Sequence, residues 1–142
     1  MSDAMVRPAA PGDAEEVRSL VTRALLTAGF PPPDADLDAD LLDLSYYNGP
    51  GRSVWVAERD GFVVGCAAID VGEARTAVLR RLAGGSLGAL VKEALRFAAA
   101  EGYRAVETVL PPGLPGTADT LGRAGFEAPS DANPMLLRLD LS

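Results

Sequence analysis

Thr76-Ala77-Val78-Leu79-Arg80-Arg81-Leu82-Ala83-Gly84-Gly85-Ser86-Leu87-Gly88 is the stretch on which the fold turns. Thr76–Ala83 alternates with a period of two and reads as a strand. Val78, Arg80 and Leu82 fall on one face and Ala77, Leu79, Arg81 and Ala83 on the other. At Gly84-Gly85-Ser86 the period changes to 3.6. Leu87, Leu90, Val91, Ala94, Leu95 and Ala98 then form one apolar stripe, the mark of a helix over 87–100. Glu101-Gly102 closes it, and Ala105–Leu110 is a further strand. Strand, helix and strand of these lengths predict a right-handed βαβ crossover with its two strands parallel.

Upstream, Met5-Val6-Arg7-Pro8 is a short extended opening. Asp13, with Glu16 three residues on, predicts a capped helix carrying Val17, Leu20, Val21, Ala24 and Leu25. Gly29 and the prolines at 31–33 stop it. Leu37, Leu41, Leu42 and Leu44 are interleaved among Asp34, Asp36, Asp38, Asp40 and Asp43, so a second helix is expected over about 38–46, ended by Tyr46, Tyr47 and Asn48. Ser53–Glu58 and Phe62–Asp70 read as two strands joined at Asp60-Gly61, a hairpin signal. Downstream, Pro111 to Pro115 is a rigid loop and Thr117–Ala124 a short helix. Phe126 starts a return strand and Met135–Leu141 is the last one. The expected order is β-α-α-β-β-β-α-β-α-β-β, a mixed α/β or α+β sheet in a single domain over 1–142.

Composition narrows the chemistry. The chain has 142 residues with 48% hydrophobic and 23% charged, which suits one packed domain and excludes a disordered chain. It contains no histidine, so Ser-His and Cys-His catalysis and histidine metal sites are excluded. The one cysteine, Cys66, cannot form a thiolate metal cage or an internal disulfide, and no metal is expected. Cys66 sits in a buried-looking strand and reads as a small core residue. A net charge of -7 opposes nucleic-acid binding. No apolar run reaches membrane-spanning length and Met1–Ala4 does not open a secretory signal, so no membrane association and a cytoplasmic location are expected.

Taken in order, these segments resemble the GNAT superfamily of N-acetyltransferases over about residues 5–141. Val6-Arg7-Pro8-Ala9 and Gly12-Asp13-Ala14 are similar to its first strand and helix start. Val56-Ala57-Glu58-Arg59-Asp60-Gly61 and Val63-Val64-Gly65-Cys66-Ala67 resemble its second and third strands, and Leu79-Arg80-Arg81-Leu82-Ala83 its fourth. Ser86-Leu87-Gly88-Ala89-Leu90, with Ala94-Leu95 and Gly102-Tyr103, resembles its acyl-CoA-binding helix, and Gly125-Phe126 its terminal Gly-Phe. The resemblance implies an acetyl group moved from acetyl-CoA, as co-substrate, to a primary amine of a small molecule. It implies a pantetheine arm paired along Arg81, Leu82 and Ala83, and a pyrophosphate held by backbone N–H groups of Gly84, Gly85, Ser86, Leu87 and Gly88. A homodimer joined at Met135–Leu141 is also open.

The sequence departs from the family pattern in places. The usual segment before the pyrophosphate loop is missing, with alanine and serine where that loop has Arg or Gln and its first glycine. Val78, Leu121 and Leu114 stand where relatives often carry a glutamate, a tyrosine and an asparagine. Glu107 is the carboxylate that remains as a general base, its alternative being a solvent-exposed strand residue; Glu73 is a second candidate on a loop. Tyr46 and Tyr47 stand where relatives build the acceptor pocket, or else divide between core and surface. The aspartates at 34–43 either draw a cationic amine or form a solvated helix start. Gly84-Gly85-Ser86 is a phosphate cradle or a tight turn with Ser86 as N-cap, and one of Arg80 and Arg81 faces the coenzyme groove or both lie at the surface. The alternative function is a catalytically impaired GNAT-fold protein acting as a binding or interaction module.

Overall fold

The computed structural model describes residues 4–34, 38–109, 115–129 and 136–141. Six strands form one sheet in the order β1-β2-β3-β4-β5-β6: Met5–Pro8, Ser53–Arg59, Phe62–Val71, Thr76–Gly84, Ala105–Val109 and Leu136–Asp140. Every neighbouring pair is antiparallel except β4 and β5, which run parallel across the helix Leu87–Ala100, as the crossover requires. We call this helix α2, with α1 at Ala14–Thr27 and α3 at Pro115–Ala124.

The two faces carry separate cores. Trp55, Ala67, Ile69, Ala77, Leu79 and Val106 pack under Leu90, Val91, Ala94 and Ala98 of α2. Val56, Cys66, Ala68 and Ala83 pack on the other face, under Val17 and Val21 of α1 and Leu41, Leu44 and Tyr47 beyond it. Asp60 and Gly61, at φ 53° and 85°, form the hairpin turn, both in the left-handed region that a type I′ turn requires.

Four expectations are corrected. The predicted helix over 38–46 is two short 3₁₀ segments, Ala39–Leu41 and Leu44–Asn48. Between them Asp43 is extended (φ −144°) and its carboxylate accepts the Ser45 N–H, the local competition that makes aspartate a poor helix former. The expected return strand after Phe126 is a single bridge, Glu127 to Arg138. Asp13 makes no side-chain cap. Its carboxylate takes the Ala10 N–H and Arg7 instead, while Glu16 reaches Val63 N on β3. The fourth correction concerns β4 itself. Leu82 joins Ala77 and Leu79 on the α2 face, and Ala83 lies on the α1 face, so strict alternation fails between Arg80 and Ala83. The expected loop 111–115 and the position Leu114 fall outside the described residues, save Pro115, and so do Asp36 and Met135.

Candidate functional site

The ladder between β4 and β5 has only three steps, Thr76↔Ala105, Ala77↔Val106 and Val78↔Glu107. Past Val78 the strands part. Thr108 marks the apex, its buried hydroxyl donating to the Leu79 carbonyl at 2.9 Å. Beyond it lies a cavity of about 350 Å³ lined by β4 from Val78 to Ala83, by Val21 and Leu25 of α1, by Thr108 and Val109, and by Thr117 and Leu121 of α3.

Beyond the parting, β4 carries a bulge. Cys66 pairs with Ala83 and Ala68 with Arg80, so Arg81 and Leu82 together face the single residue Ala67. The extra residue is taken up by Arg81 at φ 59°, a conformation costing a non-glycine roughly 1–2 kcal/mol. This turn of the backbone sends Leu82 to the α2 face and Ala83 to the α1 face. The Arg81 carbonyl accepts the Cys66 thiol at 3.1 Å. Burial pushes that thiol up to about 12, so Cys66 is a neutral donor and not a nucleophile at physiological pH.

The Arg81 side chain is held on the α1 face, 12% exposed. Its Nε and Nη2 donate to Oδ2 and Oδ1 of Asp40 at 3.0 and 2.7 Å, and Nη2 also donates to Asp38 Oδ1 at 2.7 Å. Tyr47, buried, donates to Asp40 Oδ2 at 2.6 Å. Burial pushes the Asp40 carboxyl up, but Arg81 and the Tyr47 hydroxyl more than offset this and hold it below the ordinary carboxylate value. Desolvation and the Asp40 carboxylate raise the Tyr47 phenol, which stays protonated. Asp70 anchors the neighbouring group. It accepts Tyr46 Oη at 2.7 Å, Arg52 Nε at 2.8 Å and Arg80 Nη1 at 3.0 Å. Tyr46 is 42% exposed and stacks edge-on against Tyr47, with Arg52 over its ring.

Residues paired directly across a sheet share a face. Asp70, Val78, Glu107 and Arg138 therefore form one row across β3–β6. In this row Glu107 Oε1 accepts from Arg138 Nη1 at 2.7 Å, and the Glu107 side chain stays 32% exposed. Glu107 stands at the last β4–β5 pair, next to the apex, and is not part of the cavity lining.

The turn from β4 into α2 is packed hard against β3. Gly85 N donates to the Val64 carbonyl at 2.7 Å. Ser86 sits at the N-cap position of this tight turn, as the turn reading has it, with φ 58° and no side-chain cap bond. Leu90 N makes the first intrahelical bond, to Ser86 O, so Leu87, Gly88 and Ala89 N–H groups lie in the helix's unsatisfied first turn. A second groove, about 470 Å³, runs from Gly88 between α2 and α3 and carries Lys92 and Arg123.

The structure thus brings Arg81, Leu82 and Ala83 to the cavity and leaves Gly84–Gly88 outside its lining, in the turn from β4 into α2, with Gly88 on the second groove. Tyr46 and Tyr47 lie with the aspartates, away from the cavity lining. Sequence reading missed Asp38, Asp40 and Asp70 as partners of arginines. The pairing of a buried Arg with an Asp forty residues upstream leaves no local pattern.

No family model matches the sequence, and neither does any curated protein. Solved structures do match the fold. A GNAT-family acetyltransferase from Staphylococcus aureus Mu50 superposes with a TM-score of 0.84 at 11% identity, covering 98% of this chain and 99% of that one. A GNAT phosphinothricin acetyltransferase from Sinorhizobium meliloti, solved with acetyl-CoA, gives 0.76 at 20% identity over 99% and 90% of the two chains. A GNAT acetyltransferase from Brucella melitensis, also with acetyl-CoA, gives 0.71 at 20% over 98% and 88%. The chain has the GNAT acetyltransferase fold over nearly its whole length. Among the described residues, no helix is long and apolar enough to cross a membrane.

Proposed function

We propose that this protein is an acetyl-CoA-dependent N-acetyltransferase acting on a primary amine of a small molecule. The observation that carries the reading is the parting of β4 and β5 after Val78↔Glu107, with a 350 Å³ apolar cavity between them and the start of α2 beyond. An extended thiol-terminated arm fits such a slot. Past Val78 the edge of β4 has no ladder partner in β5, and Leu82 and Ala83 line the cavity beside it. The first-turn N–H groups of α2 suit a pyrophosphate, and Lys92 and Arg123 in the adjoining groove supply positive charge for further phosphate. Bound there, acetyl-CoA supplies the activated acyl group.

The residues of the chain then do three things. The β4 edge orients the thioester carbonyl and its N–H groups stabilise negative charge on that oxygen. The apolar walls, Val21, Leu25 and Leu121 among them, exclude water. Glu107, half-buried on the α1 face beside the apex, takes the proton that the attacking amine gives up, with Arg138 holding its carboxylate in place. Tyr46, exposed and bonded to Asp70 on the same face, borders the acceptor's approach, while Tyr47 is buried against Asp40 and supports it from beneath. Leu121 offers no acid to the departing thiolate, so that proton comes from solvent.

Titration calorimetry with acetyl-CoA tests the reading, followed by thiol release over a panel of primary amines. Binding together with amine-dependent thiol release supports it, and no binding at millimolar coenzyme defeats it. Binding without thiol release favours the second reading, a GNAT-fold binding module. That reading rests on the apolar residues Val78 and Leu121 in the cavity wall.

A further inference from the structure

We infer that Arg81 is a positioning residue: its guanidinium, clamped by Asp40 and Asp38, holds the β4 bulge, and the bulge shapes the acyl slot. The part that concerns coenzyme rests on the function proposed above; the part that concerns the backbone does not.

An arginine has no intrinsic reason to occupy φ 59° in the middle of a strand. Something outside the strand must hold it there, and the structure supplies three ties. The guanidinium is bound on two nitrogens by Asp40 and on Nη2 also by Asp38. Asp40 is itself fixed by the buried Tyr47 hydroxyl. The carbonyl that the bulge removes from regular pairing is met by the Cys66 thiol. Side chain and carbonyl are therefore both satisfied only in the bulged form. Without the bulge the side chain of residue 81 would keep the face of Ala77 and Leu79, where α2 packs, and a guanidinium would enter an apolar core. Specificity for the left-handed form thus comes from where the counter-charges stand. The bulge in turn places Leu82 and Ala83 in the cavity wall beside Arg81, so the clamp acts on the slot through the β4 backbone.

The test uses the full chain, isotope-labelled and ligand-free. Backbone couplings and Cα and Cβ shifts report φ at residue 81, and cross-strand contacts from Ala67 report the bulge. Wild type should show a left-handed residue 81. Arg81→Gly should keep the bulge, because glycine accepts this conformation without a clamp. Arg81→Val and Asp40→Asn should move residue 81 towards ordinary strand values. If the bulged form falls to about a tenth of the population in Asp40→Asn, acetyl-CoA affinity falls about tenfold. The carbonyl stretch of bound isotope-labelled acetyl-CoA should shift in Asp40→Asn, a signal that mere loss of stability does not move. Should Arg81→Val not fold, Asp40→Asn, of the same shape, carries the comparison. Retention of the left-handed residue 81 in Asp40→Asn or in Arg81→Val overturns the inference; its loss in Arg81→Gly would show the guanidinium needed even where the backbone is free, and upholds it. A bulge lost as expected in a protein whose wild type binds no acetyl-CoA upholds the clamp and defeats only the enzymatic reading.

Discussion

Gly65 on β3 and Gly84 on β4 are direct partners across the ladder, and neither position has room for a side chain. A Cβ on Gly65 would collide with the Gly85 carbonyl and reach Leu90 Cδ1 at 3.0 Å; one on Gly84 would collide with the Val64 carbonyl and lie 2.9 Å from Gly65 Cα. Most of these neighbours are backbone and cannot rotate away. Gly65→Ala should therefore destabilise the protein by about 1–3 kcal/mol, as overpacking does. Gly84→Ala should cost at least as much, since Gly84 also sits at φ 84°. Urea unfolding measures both. A loss below about 0.5 kcal/mol at either site, the range of neutral surface changes, would contradict this account of the turn.

The buried carboxylates make stability depend on acid in a definite direction. Asp40 and Asp70 are desolvated, yet Arg81 and Tyr47 on one, and Arg52, Tyr46 and Arg80 on the other, hold both below the ordinary carboxylate value. A depressed carboxyl contributes stability that is fully present above the unfolded value, about 3.9, and is lost as pH falls through the lower folded value. Unfolding free energy should therefore drop on acidification below about pH 4. Asp40→Asn should lose up to roughly 3–5 kcal/mol at pH 7, the upper bound for breaking a buried pair. Its deficit against wild type should shrink as pH falls, because wild type then loses the same charge. Equal deficits at pH 7 and pH 3 would show that the charge of Asp40 does not set the deficit.

Periodicity made the strand-turn-helix around Gly84 legible, because each element there follows from residues within one or two turns of chain. It failed at Arg81 for a physical reason. Reading faces along β4 assumed strict alternation, whereas one left-handed residue exchanged the faces of Leu82 and Ala83. What puts Arg81 there is a pair of aspartates, Asp40 in a distant 3₁₀ segment and Asp38 just before it, and nothing near Arg81 in sequence announces them. The same aspartates read as a solvated helix start or a lure for amines. Burial of Asp40 against Tyr47 and Arg81 is a tertiary fact that a charge pattern cannot carry.

Gly88 separates stability from coenzyme binding. A Cβ there meets nothing within 4 Å, so Gly88→Ala is free of clashes. Alanine is the better helix former by up to about 1 kcal/mol, and the melting temperature should rise. If the first turn of α2 receives a pyrophosphate, the added methyl stands where the phosphate approaches the backbone, and acetyl-CoA affinity should fall. Lys92→Ala should also weaken binding, with a difference from wild type that narrows as salt is added. Calorimetry at two ionic strengths reads both effects. A Gly88→Ala protein that gains stability and binds acetyl-CoA as wild type does would remove α2 from the coenzyme site.

Thr108 sits where the β4–β5 ladder ends while β5 stays paired with β6. Its hydroxyl gives the Leu79 carbonyl a partner at 2.9 Å just past the last β4–β5 pair, Val78↔Glu107. Valine has nearly the same shape and no donor, so Thr108→Val leaves a buried carbonyl unsatisfied at a cost of about 1–3 kcal/mol. Thr108→Ser keeps the donor and gives up one buried methyl, at about 1 kcal/mol. The two can be told apart by hydrogen exchange. Thr108→Val should speed exchange locally, at the Ala105–Glu107 amides that close the apex, while Thr108→Ser should leave their protection near wild type. If both variants exchange alike, the Thr108–Leu79 bond does not hold the apex, and the three ladder pairs fix it by themselves.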